Sequence, residues 1–357
     1  APVGNGPYKW ERRVPGQRID LVANREFFLG APKIDRIIFL TARDPEAQLN
    51  LLLDGTADAH QGIDPVTGLP RLRPKEQYAI RPVATLAVGY MTFNLRAHGD
   101  RSRPHPILAD TEVRRAIAMA VDTRTLVRVA MGNFGVVPDG PNSQPHWITA
   151  SPPRTIPYDP GRARQLLASR GWRDTDGDGI LDRNGEPLVL RMNYPAPSAV
   201  RSTMSPLVQD QLRRVGIRLE LVRLDGPVWI ERRNQGAFDI DFSQGNADAT
   251  PSGLVQVWSC ASRNGVNVGQ FCDPVVDALL ESAITQPTPD LAPWRRAVDR
   301  LVDQVPAVFV YAPTNALVIH KRFANVTVPP WSYWSDVWRW SVRPGQQLPR
   351  DRNPGRE

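Results

Sequence analysis

Strand-like and helix-like stretches take turns along most of this chain, and that alternation confines it to the α/β class. RIDLVAN (18–24) and IDRIIFLT (34–41) read as strands around a turn at GAPK, and PEAQLNLLLDG (45–55) as a helix stopped by Gly55. TLAVGYMTFNL (85–95) is apolar enough for a buried strand or a crossover. In DTEVRRAIAMAVD, Val113, Ile117, Ala120 and Val121 share one helical face. In DPGRARQLLASRG, Asp159 suits the N-cap, Pro160 the first turn and Gly171 the stop, with Ala163, Leu166 and Leu167 as the buried stripe. Strands follow at 188–193, 217–224 and 237–243, the first two separated by a helix over 199–214. Two further amphipathic helices, PVVDALLESA and APWRRAVDRLVDQ, precede strands at 307–312 and 316–320. The segment 96–106 reads as a charged surface loop, and the Pro-rich tail 343–357 as disordered. No internal repeat is visible.

At 357 residues and 41% hydrophobic content the chain can build two domains with real cores. The formal charge is +7, but 40 of the 44 basic residues are Arg, scattered without a run of five. A phosphate-tracking stripe is therefore absent, and nucleic acid is not an expected partner. No run of about 18 apolar residues could span a membrane, and APVGNGPYKW carries no basic and then apolar leader. Cys260 and Cys272 lack the neighbours of a zinc site. A disulfide between them would gain about 3 kcal/mol and suit an oxidising compartment; two buried thiols are the alternative.

RDTDGDGILDRNG (173–185) resembles a calcium loop. Counted from Asp174, the ligand positions 1, 3, 5 and 9 hold Asp174, Asp176, Asp178 and Asp182, with Gly179 at the sharp turn. Position 12 is Gly185 where a bidentate Glu belongs, so the set suits a structural Ca²⁺ at most, or simply a turn. No other cofactor is indicated. The five His (His60, His98, His105, His146, His320) are dispersed, and no HExxH, GxSxG or GxxxxGK[ST] phrase is present. His98 and His105 bracket the charged loop and leave a metal-dependent hydrolase as the competing reading.

Several phrases occur together in a fixed order: PVGNGPYKW, PKIDRIIF, YMTFNL, EVRRAIAMAVD, YDPGRARQLLASRGW, DTDGDGILD, GNADATP and CDPVVDALLESA. Through them the chain resembles the extracytoplasmic solute-binding proteins of family 5, which serve peptide, oligopeptide and nickel ABC importers. The resemblance runs from about residue 2 to 342. It implies a type II periplasmic-binding-protein fold, two lobes with a hinge, here with the first lobe incomplete. Residues 1–88 would be part of lobe 1, 89–314 lobe 2, and 315–342 the return to lobe 1. Roughly 150–200 residues would precede the chain in relatives, together with any membrane anchor. The expected partners are a peptide or peptide-like solute and the permease subunits; a nickel chelate or an oligosaccharide is the alternative cargo. A monomer outside the cytoplasm is expected.

In peptide-binding relatives an Asp in the phrase matching GNADATP pairs with the ligand's amine; here it is Asp248, beside Asn246. It reads equally as a turn or cap before Pro251. Gly245 and Ala249 stand where relatives carry aromatics, so an aromatic wall is missing, which points away from a standard peptide. Tyr90, Phe93 and Asn94 lie where the chain passes between lobes, and Trp258 and Asn267 flank the cysteines; all five are candidates for the cleft, with Phe93 also suited to the core. Trp331, Trp334, Trp338 and Trp340 read as lobe packing.

Overall fold

The structure is a computed structural model and describes residues 4–63, 67–143, 145–196, 198–246, 250–286, 290–330 and 332–352, apart from the side chains of Asn264 and Arg352. The chain divides into two units, Thr85–Pro313 and the segments before and after it. The divisions fall at 84/85 and 313/314, within a few residues of the expected 88/89 and 314/315.

The larger unit is built on a sheet ordered Arg218–Leu224, Val189–Pro195, Ile240–Asn246, Ala87–Phe93 and the first half of Ala307–His320. The first three strands are parallel, and Ala87–Phe93 runs antiparallel to both its neighbours. Helices cover both faces, which is why AVGYMTF is apolar almost throughout rather than alternating. Side-chain direction still has period two. Met91 and Phe93 point to one core with Ile240, Phe242 and the helices Thr111–Ala120, Thr123–Met131, Pro160–Ser169 and Ala199–Arg213. Val88 and Tyr90 point to the other, with Phe309 and the helices Gly253–Trp258, Pro274–Thr285 and Leu291–Gln304. Each fully buried ring, such as Phe93 or Phe242, contributes about 1.5–3 kcal/mol.

Local chemistry sets the helix ends. Asp159 accepts from the Arg162 amide at 2.8 Å, Pro160 follows, and Gly171 ends the stretch at φ +85°. Asp110, Asp122, Ser198, Asp273 and Asp290 cap five more helices in the same way. Asp159→Ala would remove about 1 kcal/mol. At Gly89 the sheet needs a bare backbone: a Cβ there would lie 2.1 Å from the buried Tyr311 ring.

The smaller unit holds an antiparallel sheet of Tyr8–Val14, Arg18–Ala23 and Arg36–Leu40. A second pairing joins the latter half of Ala307–His320 to Ala59–Gln61 and Tyr78–Ala84. The two strands expected at 307–312 and 316–320 are thus one, with a register shift between Phe309 and Tyr311. Leu317, Ile319, Val337 and Trp340 centre this unit's core, where Trp334 packs on Trp340 at 5.9 Å. Trp331 lies outside the described residues.

The tail departs from the expected disorder as far as residue 352, with a helical turn at Pro349–Arg352. Polar chemistry holds it where apolar pattern offered nothing. Arg350 bonds Asp58 at 2.7 Å and the Gly55 carbonyl at 2.6 Å, and Asp351 pairs with the buried Arg322. Residues 353–357 lie outside the described residues. Among the described residues no helix is long and apolar enough to cross a membrane.

Candidate functional site

A small, solvent-open cleft with a cavity volume of about 80 Å³ lies in the larger unit. Strand alternation supplies one side of it. Val88 and Tyr90, two apart on Ala87–Phe93, line it, while Phe93, three from Tyr90, is turned into the opposite core and is fully buried. The expected role of Phe93 in the cleft is therefore corrected. Gly245 and Asn246 reach the cleft from the neighbouring strand, where Asn246 pairs with Ala87.

Aromatic surface is present, though not where relatives carry it. Tyr90 and Trp258 approach at 6.0 Å between ring centroids, and Phe309 lies 5.6 Å from Trp258. A Cβ on Gly245 would meet the Tyr90 hydroxyl at 2.8 Å. Tyr90 thus fills the space that a side chain at 245 would need, and the missing wall is supplied by Tyr90 and Trp258. Burial pushes the Tyr90 phenol up, so it stays protonated and available as a donor.

The remaining side of the cleft comes from a loop that sequence reasoning did not single out. Asp139, 1% exposed, is its hub. Its carboxylate accepts from the Ala150 amide at 2.8 Å, the Arg154 amide at 2.6 Å and the Arg154 Nε at 2.8 Å. Burial pushes the Asp139 carboxyl up, but these bonds outweigh it and hold it below the usual range. Turns then follow, with Asn142 N–H to Asp139 O at 3.1 Å and His146 N–H to Ser143 O at 3.1 Å. This scaffold sets Asn142 and His146, 2% and 5% exposed, into the cleft lining. Burial lowers the His146 pKa, opposed by a backbone hydrogen bond with Thr250, and keeps the ring neutral. No local periodicity marks either residue, because turns rather than a helix or a strand hold them.

Two other expected residues hold loops rather than the cleft. Asn94 donates to the Gly236 and Phe238 carbonyls, both at 3.0 Å. Asn267 donates to Phe271 O at 2.8 Å and accepts from its amide at 3.1 Å, inside the loop closed by the Cys260–Cys272 disulfide. Both are buried with their polar capacity spent on backbone groups. Asp248 lies outside the described residues.

The acidic loop is knit by its own backbone. Asp174 accepts from Gly177 and Gly179 amides at 2.7 and 3.0 Å, and Asp178 from Ile180 at 2.7 Å. Asp174, Asp176 and Asp178 bring carboxylate oxygens within 4.8 Å of one another. Asp182 does not join them, since its two oxygens accept from the Thr175 hydroxyl and amide.

His98 and His105 converge on Asp239, at 3.0 and 2.9 Å. The tautomer decides what this trio does. Nδ1 of His105 accepts from the Ile107 and Leu108 amides at 3.1 and 2.9 Å, so Nε2 carries the proton and donates it to Asp239. A metal ion at Nε2 would require a proton on Nδ1, facing two donors. The trio is a hydrogen-bond hub. Burial raises the Asp239 pKa, but the bonds from His105 and the Arg191 amide outweigh that and leave it lowered. The metal-hydrolase reading loses its residues here.

The cleft is aromatic-lined, carries no charged side chain among its described lining residues, and is set on a helix-covered α/β sheet. The chain belongs to the bacterial extracellular solute-binding proteins, family 5, whose middle-region profile matches residues 1–267. It is 24% identical to the oligopeptide-binding protein AppA of Bacillus subtilis, over 95% of this chain and 62% of that protein. It is 27% identical to the probable di/tripeptide-binding protein 5 of Pseudomonas aeruginosa, over 78% and 50%. It is 29% identical to the oligopeptide-binding protein OppA of Mycobacterium tuberculosis, over 81% and 47%. The chain thus spans between about half and three fifths of these relatives, each named as a peptide-binding protein. The fold matches the Listeria monocytogenes ABC transporter substrate-binding protein CtaP with a TM-score of 0.82 at 18% identity, covering 96% of this chain and 67% of that one. It also matches B. subtilis AppA in complex with a nonapeptide, with a TM-score of 0.73 at 22% identity, covering 94% and 66%.

Proposed function

We propose that this chain is the solute-capturing part of an extracytoplasmic binding protein that hands peptides, or a peptide-like solute, to the permease of an ABC importer. One observation carries the reading: in a member of this family, Tyr90, Trp258 and Asn246 come together on one open cleft. Relatives named for di-, tri- and oligopeptide binding support the cargo class. Work is done by holding, with aromatic faces covering apolar side chains and polar groups taking main-chain amides. Asp248 is the expected partner of a ligand amine. The protein acts as a monomer outside the cytoplasm. Ca²⁺ at Asp174, Asp176 and Asp178 would be a structural ion.

A second cargo, a small metal chelate, draws on the likeness to NikZ of Campylobacter jejuni in complex with Ni(L-His), at a TM-score of 0.75 and 23% identity. Thermal shift assays against di- to pentapeptides, oligosaccharides and nickel–histidine separate the cargoes. Stabilisation by peptides without cleavage supports the proposal. Stabilisation by the chelate alone, or turnover of the peptide, overturns it.

A further inference from the structure

Trp258, which lines the cleft, ends a helix of only six residues, Gly253–Trp258. A helix that short has little stability of its own, so the angle at which its last ring meets the cleft is set by what packs against it. The ring is 4% exposed. Phe309, Tyr90 and Phe271 pack on it, at 5.6, 6.0 and 6.5 Å between centroids. Phe309 and Tyr90 belong to the sheet. Phe271 belongs to the loop 260–272, whose ends are joined by the Cys260–Cys272 disulfide.

The bridge joins the two segments that carry this pair of rings. Trp258 stands just before Cys260, and Phe271 just before Cys272. Asn267 ties the same segments a second time. Its Nδ2 donates to Ser259 O at 3.2 Å and to Phe271 O at 2.8 Å, and its Oδ1 accepts from the Phe271 amide at 3.1 Å. Further contacts fix the loop to its surroundings. The Cys260 amide donates at 3.0 Å to Asp277, in the first turn of Pro274–Thr285. The Leu95 amide donates to Gly269 O at 2.9 Å, and a Cβ on Gly269 would lie 2.5 Å from the Phe93 carbonyl oxygen. The loop thus lies flush against the end of the strand that carries Tyr90.

We propose that the Cys260–Cys272 disulfide and Asn267 are positioning residues for solute capture: they fix the angle of the Trp258 ring at the cleft and, through Gly269, hold it in place beside Tyr90. They act through the ring rather than by touching the solute. The bridge therefore contributes to affinity as well as to stability, because a ring left free to tilt has to be ordered when solute binds. This assignment rests on peptide capture and adds what sets the shape of the aromatic wall.

The test is a double-variant cycle read on peptide affinity. Pools of random tetra- and pentapeptides are screened on the unaltered chain, and the tightest individual binder is titrated against each variant. Cys260→Ser with Cys272→Ser should weaken it about 3- to 10-fold, the range that one aromatic contact supplies. Asn267→Asp keeps the bridge and the acceptor but sets a carboxylate against two carbonyls, and it should weaken binding by a similar factor. In Trp258→Leu, which has no ring to hold, the serine pair should cost less than twofold in affinity, although it lowers the melting temperature in both backgrounds. If no peptide pool binds the unaltered chain, the capture reading fails and the assignment with it. If peptides bind and the serine pair stays within twofold of the unaltered chain, or costs as much affinity without the ring as with it, capture stands and the positioning role is wrong. Where Trp258→Leu does not fold or bind, Trp258→Met takes its place in the cycle; where the serine pair does not fold, Asn267→Asp does, and the same outcomes decide.

Discussion

Arg154→Ala tests whether the loop behind the cleft is held by one buried ion pair. The Asp139 side chain is fully buried, and the Arg154 side chain is 16% exposed. Removing the guanidinium deletes the Nε bond of 2.8 Å and the Nη2 contact to Asp139, together with a 3.0 Å bond to Arg295 O. The carboxylate would keep only two backbone amides, from Ala150 and residue 154. Leaving a buried charge without its partner costs about 3–5 kcal/mol. The two surviving amides reduce that to about 2–4 kcal/mol, or roughly 5–15 °C in the melting temperature of a unit this size. Calorimetry should show the loss, and hydrogen exchange should speed across 139–154. Asp139→Asn combined with Arg154→Leu should recover part of it, because the orphaned charge is gone. A shift below about 1 kcal/mol for Arg154→Ala, or no recovery in the double variant, would refute the reasoning.

Gly89→Ala should cost about 3 kcal/mol in urea unfolding, since its Cβ would strike the Tyr311 ring, which is buried and held through its hydroxyl by Arg201 at 3.1 Å and Gln244 at 3.2 Å. A near-neutral Ala would mean the ring is free to move. The Cys260–Cys272 disulfide should leave no thiol open to alkylation until a reductant is added, and its reduction should cost about 3 kcal/mol; labelling of the untreated denatured chain would contradict it. Burial lowers the pKa of His60, His146 and His320 below the ordinary 6.5. The unfolded chain then binds protons first, so stability is full above about pH 6.5 and falls as pH drops below it. A flat unfolding profile between pH 7 and 5 would show these rings are not shielded from water.

Alternation of apolar periods made the sheet and helices legible, because the same spacing that places side chains in a core is visible in the chain. It also misled at one point. Tyr90 and Phe93 looked like one group of aromatics, yet an odd spacing on a strand sends them to opposite faces, one to the cleft and one to the core. Asn94 and Asn267 looked like ligand groups because they are polar beside apolar runs; the carbonyls they satisfy come from residues whose approach only folding creates. Gly245 showed that an aromatic was missing, but not that Tyr90 occupies its place. Asn142 and His146 were invisible for a related reason. Their loop has no period, and it is fastened through Asp139 to Arg154 and through Arg154 to Arg295 O.

Peptides carrying a diazirine side chain, irradiated with the chain and mapped by mass spectrometry, report most directly where solute is held. Covalent adducts should fall on Tyr90, Trp258 and the 141–146 loop, and excess unlabelled peptide should suppress them. Adducts confined to residues before Ala84 or after Thr314, or adducts that excess peptide does not suppress, would contradict capture in this cleft.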